Sequence, residues 1–201
     1  MGMTDTLFFP SDVALAAMGN TSKRWQSHLE QGKIFIESEK DANAKSERGR
    51  GKKRQLSLDA ITQGSIALTL IDAGVEVKLA YRNGAEFAYT HTTSPARMID
   101  PSLPLNPTQD RLAGKLFDEG QTILVCSTGV LAHGQNGLSF VSDADPDLAP
   151  SNELSQTANL IECVDGRPGS ARILINVSMM CHRISKALDI DCQKTFGGER
   201  I

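Results

Sequence analysis

The segment Met18-Gly-Asn-Thr-Ser-Lys-Arg-Trp-Gln-Ser-His-Leu-Glu-Gln-Gly-Lys-Ile34 restricts the fold more than any other part of the chain. Gly19 can take the positive φ with which a chain leaves a helix and turns sharply. Upstream, Ser11 or Asp12 can cap a short helix in which Val13, Leu15, Ala16, Ala17 and Met18 supply one buried side. Downstream, Asn20, Thr21 and Ser22 all carry side chains able to cap exposed amides, and the pattern then runs as a second helix to Gly32. Two short helices meeting at a tight turn are expected. Pro10 limits the backbone before them, and Leu7-Phe8-Phe9 is expected to form an edge strand or to pack on the first helix.

The second helix has few apolar positions. Trp25 and Leu29 give a narrow i, i+4 stripe, so most of its surface is not core. Ser22 at its start and the outward Lys23, Arg24, Gln26, Ser27, His28 and Gln31 can all donate hydrogen bonds to phosphates or base edges. A solvated helical face has the same composition. The next segment favours the nucleic-acid reading: Arg48-Gly-Arg-Gly-Lys-Lys-Arg54 places five cations, Arg48, Arg50, Lys52, Lys53 and Arg54, in seven residues. Glycines let backbone lie close to a phosphate chain, and each cation that neutralises a phosphate releases a counterion. Elsewhere such a run is often a linker or tail, but here it follows a helix-turn-helix pattern and precedes another helix, where a wing belongs.

Net charge hides this asymmetry. The 201 residues carry a formal charge of -3, yet residues 1–84 hold 12 Lys/Arg against 10 Asp/Glu and residues 85–201 hold 9 against 14. Between Ser22 and Arg54 there are ten basic and five acidic residues. Local charge sets the field at a binding surface.

After the arm, Leu56-Ser-Leu-Asp-Ala-Ile61 returns to the core, with Ser57 as the expected cap of a helix carrying Ile61, Ile66, Leu68, Leu70 and Ile71. Gly74 breaks that pattern, and Val75 to Tyr81 is expected to add one further turn or short helix.

The order and spacing of these elements resemble the DNA-binding domain of the MerR family of transcriptional regulators. In that family a turn glycine and a glycine ending the recognition helix lie thirteen positions apart, as Gly19 and Gly32 do. The wing there closes with Arg-x-Tyr-Ser-x-x-Asp-Leu, where this chain reads Arg54-Gln-Leu-Ser-Leu-Asp-Ala-Ile61. The likeness covers about residues 9–81. It implies Ser22, Lys23, Gln26 and Ser27 as groove or phosphate contacts and Arg54 as the wing contact. Ser27-His28 stands in place of the usual aromatic pair, Leu56 in place of the wing tyrosine, and the arm between Ile34 and Arg54 is longer. The family's coiled coil is not expected, because Tyr81 to Pro107 contains Gly84, Pro95, Pro101, Pro104 and Pro107.

The expected organisation is α+β: a winged helix-turn-helix domain over residues 1–82, a proline-containing linker over 83–105, and a small α+β domain over 106–201. In the last, Asn106-Pro107 should start a helix through Leu112, Leu116 and Phe117 that Gly120 ends. Strands are expected at Thr122 to Cys126, Leu138 to Val141 and Arg172 to Val177, with a turn at Asn136-Gly137 and a further apolar run at Asn159 to Val164. An amphipathic helix should follow from Ser178 to Leu188 and, with the strands before it, offer a pairing surface, with the last dozen residues frayed.

No catalytic constellation emerges, and the chain is read as a non-enzyme without cofactor or metal. Cys126-Ser-Thr-Gly-Val follows a strand as a phosphatase loop would, but lacks the arginine that would hold a phosphate. Cys163, Cys181, His182 and Cys192 show no close-spaced ligand pair. Asp143-Ala-Asp-Pro-Asp147 lacks the glycine and glutamate of a calcium loop. The four cysteines, with no signal peptide and no membrane-spanning run, are expected to be reduced thiols of a cytoplasmic protein. The function expected is a sequence-specific regulator of transcription that binds double-stranded DNA as a homodimer or higher oligomer. The alternative is an accessory DNA-binding protein of plasmid partition, replication or site-specific recombination.

Overall fold

A computed structural model describes residues 7–30, 55–127, 138–145 and 172–198. The fold is α+β, and it divides into two compact units, Met1–Thr90 with Met180–Cys192, and His91–Met179 with Gln193–Ile201.

The first unit opens with β1 (Phe8–Pro10), which pairs antiparallel with β2 (Gln55–Ser57) in the register Phe9 to Leu56. Phe8 and Phe9 therefore lie in an edge strand. Pro10 ends it and leads directly into α1 (Ser11–Ala17), which buries Ala14, Leu15 and Ala17 and leaves Val13 outside. Gly19, at φ +69°, closes α1: its amide donates to the Ala16 carbonyl at 3.0 Å, and the Asn20 amide donates to the Leu15 carbonyl at 2.8 Å. These two bonds form a Schellman closure, which needs a left-handed residue at this position. α2 (Ser22–Glu30) starts at once, and Thr21 is the residue that caps it, its Oγ1 accepting from the Arg24 amide at 3.2 Å.

α3 (Leu58–Asp72) begins at the expected cap, where Ser57 Oγ accepts from the Ala60 amide at 3.1 Å. It is buried on nearly every side. Its polar members fit because Thr62 and Ser65 return their hydroxyls to the Leu58 and Ile61 carbonyls at 2.8 and 2.9 Å. α4 (Val77–Tyr89) follows, capped by Glu76, whose carboxylate accepts from the Lys78 and Leu79 amides.

The reach of α4 corrects the expected domain boundary. Residues 83–89 are helix, and Asn83, Gly84, Ala85, Phe87 and Ala88 are buried in the first unit. Gly84 is no helix breaker here. A Cβ on it would lie 2.4 Å from the Gln63 carbonyl oxygen, so its missing side chain is what lets α3 and α4 approach so closely.

The remaining expected linker belongs to the second unit. Thr92 and Arg111 exchange backbone hydrogen bonds at 2.8 and 3.0 Å, and α5 (Pro95–Ile99) follows. The buried Asp110 carboxylate accepts from the Ser94 and Asn106 amides, both at 2.6 Å, with Arg97 Nη1 at 4.0 Å. Burial pushes the Asp110 pKa up, but the amides of Asn106 and Ser94 and the charge of Arg97 outweigh it and hold the carboxyl below its ordinary value. The prolines thus punctuate a loop wrapped on one carboxylate. For the same reason the helix expected from Asn106 does not form. Asn106 Oδ1 takes the Thr108 amide and hydroxyl at 3.1 and 3.0 Å, and Arg111 is committed to Thr92.

The three strands expected appear as β3 (Thr122–Ser127), β4 (Leu138–Ser142) and β5 (Arg172–Asn176), antiparallel in the order β4-β3-β5. The Asn136-Gly137 turn and the run from Asn159 to Val164 lie outside the described residues. Asp143 is a structural cap, its Oδ1 accepting from the Gln121 amide at 2.7 Å. α6 (Val177–Leu188) is amphipathic, but Met180, Cys181, Ile184 and Leu188 are already buried, so its apolar side is not the pairing surface expected of it. The end expected to be frayed is helical from Cys192 to Phe196. α7 (Cys192–Phe196) buries Phe196, whose carbonyl accepts from the Leu116 amide at 2.8 Å.

Candidate nucleic-acid interface

Two rings fix the inner side of α2. Trp25 and His28, three residues apart, are both buried, and each meets Tyr81 of α4 edge to face, with ring centroids 6.4 and 5.5 Å away. His28 Nδ1 lies 3.0 Å from Tyr81 Oη. The Tyr81 backbone carbonyl in turn accepts from Gln63 Nε2 at 3.0 Å, so all three helices meet at one residue. Burial pushes the Tyr81 phenol up to about 12, with Arg24 pulling weakly the other way, so the hydroxyl stays protonated at neutral pH. Gly64 of α3 completes the seat: a Cβ there would lie 2.4 Å from Met18 Sδ and 3.5 Å from the Trp25 ring.

His28 is therefore corrected. It was expected on the outward face, but it belongs to the core with Trp25 and is not available to a groove. The i, i+3 pair of Trp25 and His28 is the anchoring stripe, and the side chain of Leu29 lies outside the described ones. On the other side, Ser22, Lys23 and Gln26 are exposed, and Ser27 is half-buried. Arg24 lies between the two sides. Its Nη2 donates to Asp72 Oδ1 at 2.9 Å, joining α2 to the end of α3, with the two side chains 35% and 66% exposed.

The structure thus brings together Ser22, Lys23, Arg24 and Gln26 along one stretch of helix behind a fixed turn. The basic arm, Arg48, Arg50, Lys52, Lys53 and Arg54, lies outside the described residues, as does Gln31. Asp72, Gln63 and Tyr81 were not singled out by the sequence. Nothing local marks them, since each reaches α2 or its support only across eighteen or more residues of chain.

Cys126 is buried on β3, and burial raises its thiol, which disfavours a nucleophilic thiolate. Cys181 is buried, Cys192 is half-buried, and Cys163 lies outside the described residues. Among the described residues no group of three or more His, Cys, Asp or Glu side chains could hold a metal ion, and no helix is long and apolar enough to cross a membrane. No protein-family model matches the sequence, and no curated protein matches it either.

Proposed function

We propose that the protein is a sequence-specific DNA-binding regulator of transcription, with α1 and α2 as a helix-turn-helix in a winged, MerR-like reader. The observation that carries this reading is the division of α2. Trp25 and His28 are spent on anchoring, while Ser22, Lys23 and Gln26 stay exposed on a short helix held by a rigid turn. A helix that turns its few ring side chains to the core and keeps polar, donor-bearing side chains exposed suits a major groove. The cation-rich run from Arg48 to Arg54 supplies, in this reading, the wing and its salt-dependent affinity for phosphate.

Such a reader gains specificity by pairing, because a dimer doubles the contacted bases. Met180, Cys181, Ile184 and Leu188 of α6 are buried and belong to the first unit. The second unit exposes Met98, Ile99 and Leu112, at 71%, 87% and 53% of their surface, and these are the side chains we assign to pairing.

The test is a gel shift against genomic fragments selected by the protein itself. Binding should weaken steeply as salt rises, and Lys23→Ala or Arg54→Ala should abolish it while the helical circular dichroism is unchanged. Unaltered affinity in both variants would remove the assignment.

A further inference from the structure

We infer that Asp72 is a resident counter-ion which DNA phosphate must displace from Arg24, so that Arg24 joins the duplex only when α2 is fully seated. The inference rests on the reading of α2 as the DNA-contacting helix. Arg24 gives Asp72 a hydrogen bond from Nη2 at 2.9 Å, and both side chains are wet, 35% and 66% exposed. A pair this exposed contributes little to stability and is readily exchanged. A guanidinium has five donors, of which this bond uses one, so a phosphate can be gripped as the carboxylate leaves.

The location of Asp72 points the same way. It is the last residue of α3, where the helix end already carries partial negative charge, so a carboxylate there works against the helix dipole. Its charge cancels that of Arg24 in the free protein and faces any phosphate that approaches only part way. Lys23, one residue earlier, is exposed and makes no ion pair among the described residues. The two neighbouring cations are therefore unequal. Lys23 attracts any duplex, whereas Arg24 rewards only a geometry close enough to replace Asp72.

The test compares wild type, Asp72→Asn, Arg24→Gln and the double variant on a short labelled duplex of mixed sequence, by fluorescence anisotropy over a range of salt. Asp72→Asn should raise affinity for this non-specific duplex about three- to tenfold at low salt and steepen the log–log salt slope by about one. In the Arg24→Gln background the slope should not change. Asp72→Ala is the second variant should the asparagine fold poorly, and it should give the same slope. A wild-type slope in both Asp72 variants, or equal steepening without Arg24, overturns the inference. Failure of the wild type to bind any duplex at low salt overturns the DNA reading as well. Loss of binding in Lys23→Ala with an unmoved Asp72→Asn slope overturns this inference alone.

Discussion

His28 Nδ1 and Tyr81 Oη lie 3.0 Å apart in the core of the first unit, joining the second helix of the chain to one that begins almost fifty residues later. A buried polar pair of this kind fixes rotation as well as position. If α2 turned about its axis, the hydrogen bond and both edge-to-face contacts would be lost together. The direction in which Lys23 and Gln26 point is thus decided by Tyr81.

Removing the phenol oxygen should weaken the fold without touching the exposed face. Tyr81→Phe leaves the buried Nδ1 of His28 without this partner, and the expected loss is about 1–3 kcal/mol. Urea unfolding followed by Trp25 fluorescence measures it.

The same residue gives the protein an alkaline limit. The folded phenol titrates at about 12 instead of 10.0, so the neutral form is favoured in the native state. Its contribution is complete below pH 10 and is lost as pH rises from there through 12. The loss is on the order of 1–3 kcal/mol. Stability measured between pH 9 and 12 should fall less steeply in Tyr81→Phe than in wild type.

Asp110 gives the second unit an acid limit. Its folded carboxyl titrates below the ordinary value of 3.8, so its contribution is complete above that pH and is lost as pH falls through the depressed value. Asp110→Asn should cost about 1–3 kcal/mol at neutral pH, since a neutral amide cannot accept from the Ser94 and Asn106 amides as strongly. Hydrogen exchange at Ser94 and Asn106 should rise in the variant and show no further rise below pH 4.

Gly84→Ala tests the approach of α3 and α4. The new Cβ would lie 2.4 Å from a backbone oxygen, which no rotamer can relieve, so the helices must separate. A loss of about 1–3 kcal/mol or more is expected, in the range of overpacked cores. Thermal melting by circular dichroism reads it out.

Pairing through the second unit is tested by charge. Met98→Asp with Ile99→Asp should leave the melting temperature close to that of wild type, because both side chains are exposed, and should shift the proposed dimer to monomer in sedimentation velocity. Sedimentation unchanged from wild type would place pairing elsewhere.

The sequence by itself determined the local elements whose cause is local. Gly19 and the capping residues define the turn and the start of α2, Ser57 starts α3, and runs of alternating or continuous apolar residues mark β3, β4 and β5. Each of these rests on contacts within a few residues. Only the tertiary structure decided what depends on a distant partner. His28 reads as a surface donor until Tyr81 takes it inward. Gly84 reads as a breaker until the Gln63 carbonyl explains it as a point of close approach. Pro95 to Pro107 reads as a linker until buried Asp110 gathers the Ser94 and Asn106 amides around it. The physical reason is common to all three. A polar or small residue is ambiguous in one dimension, because its hydrogen bond or its missing side chain acquires a role only from what is packed against it.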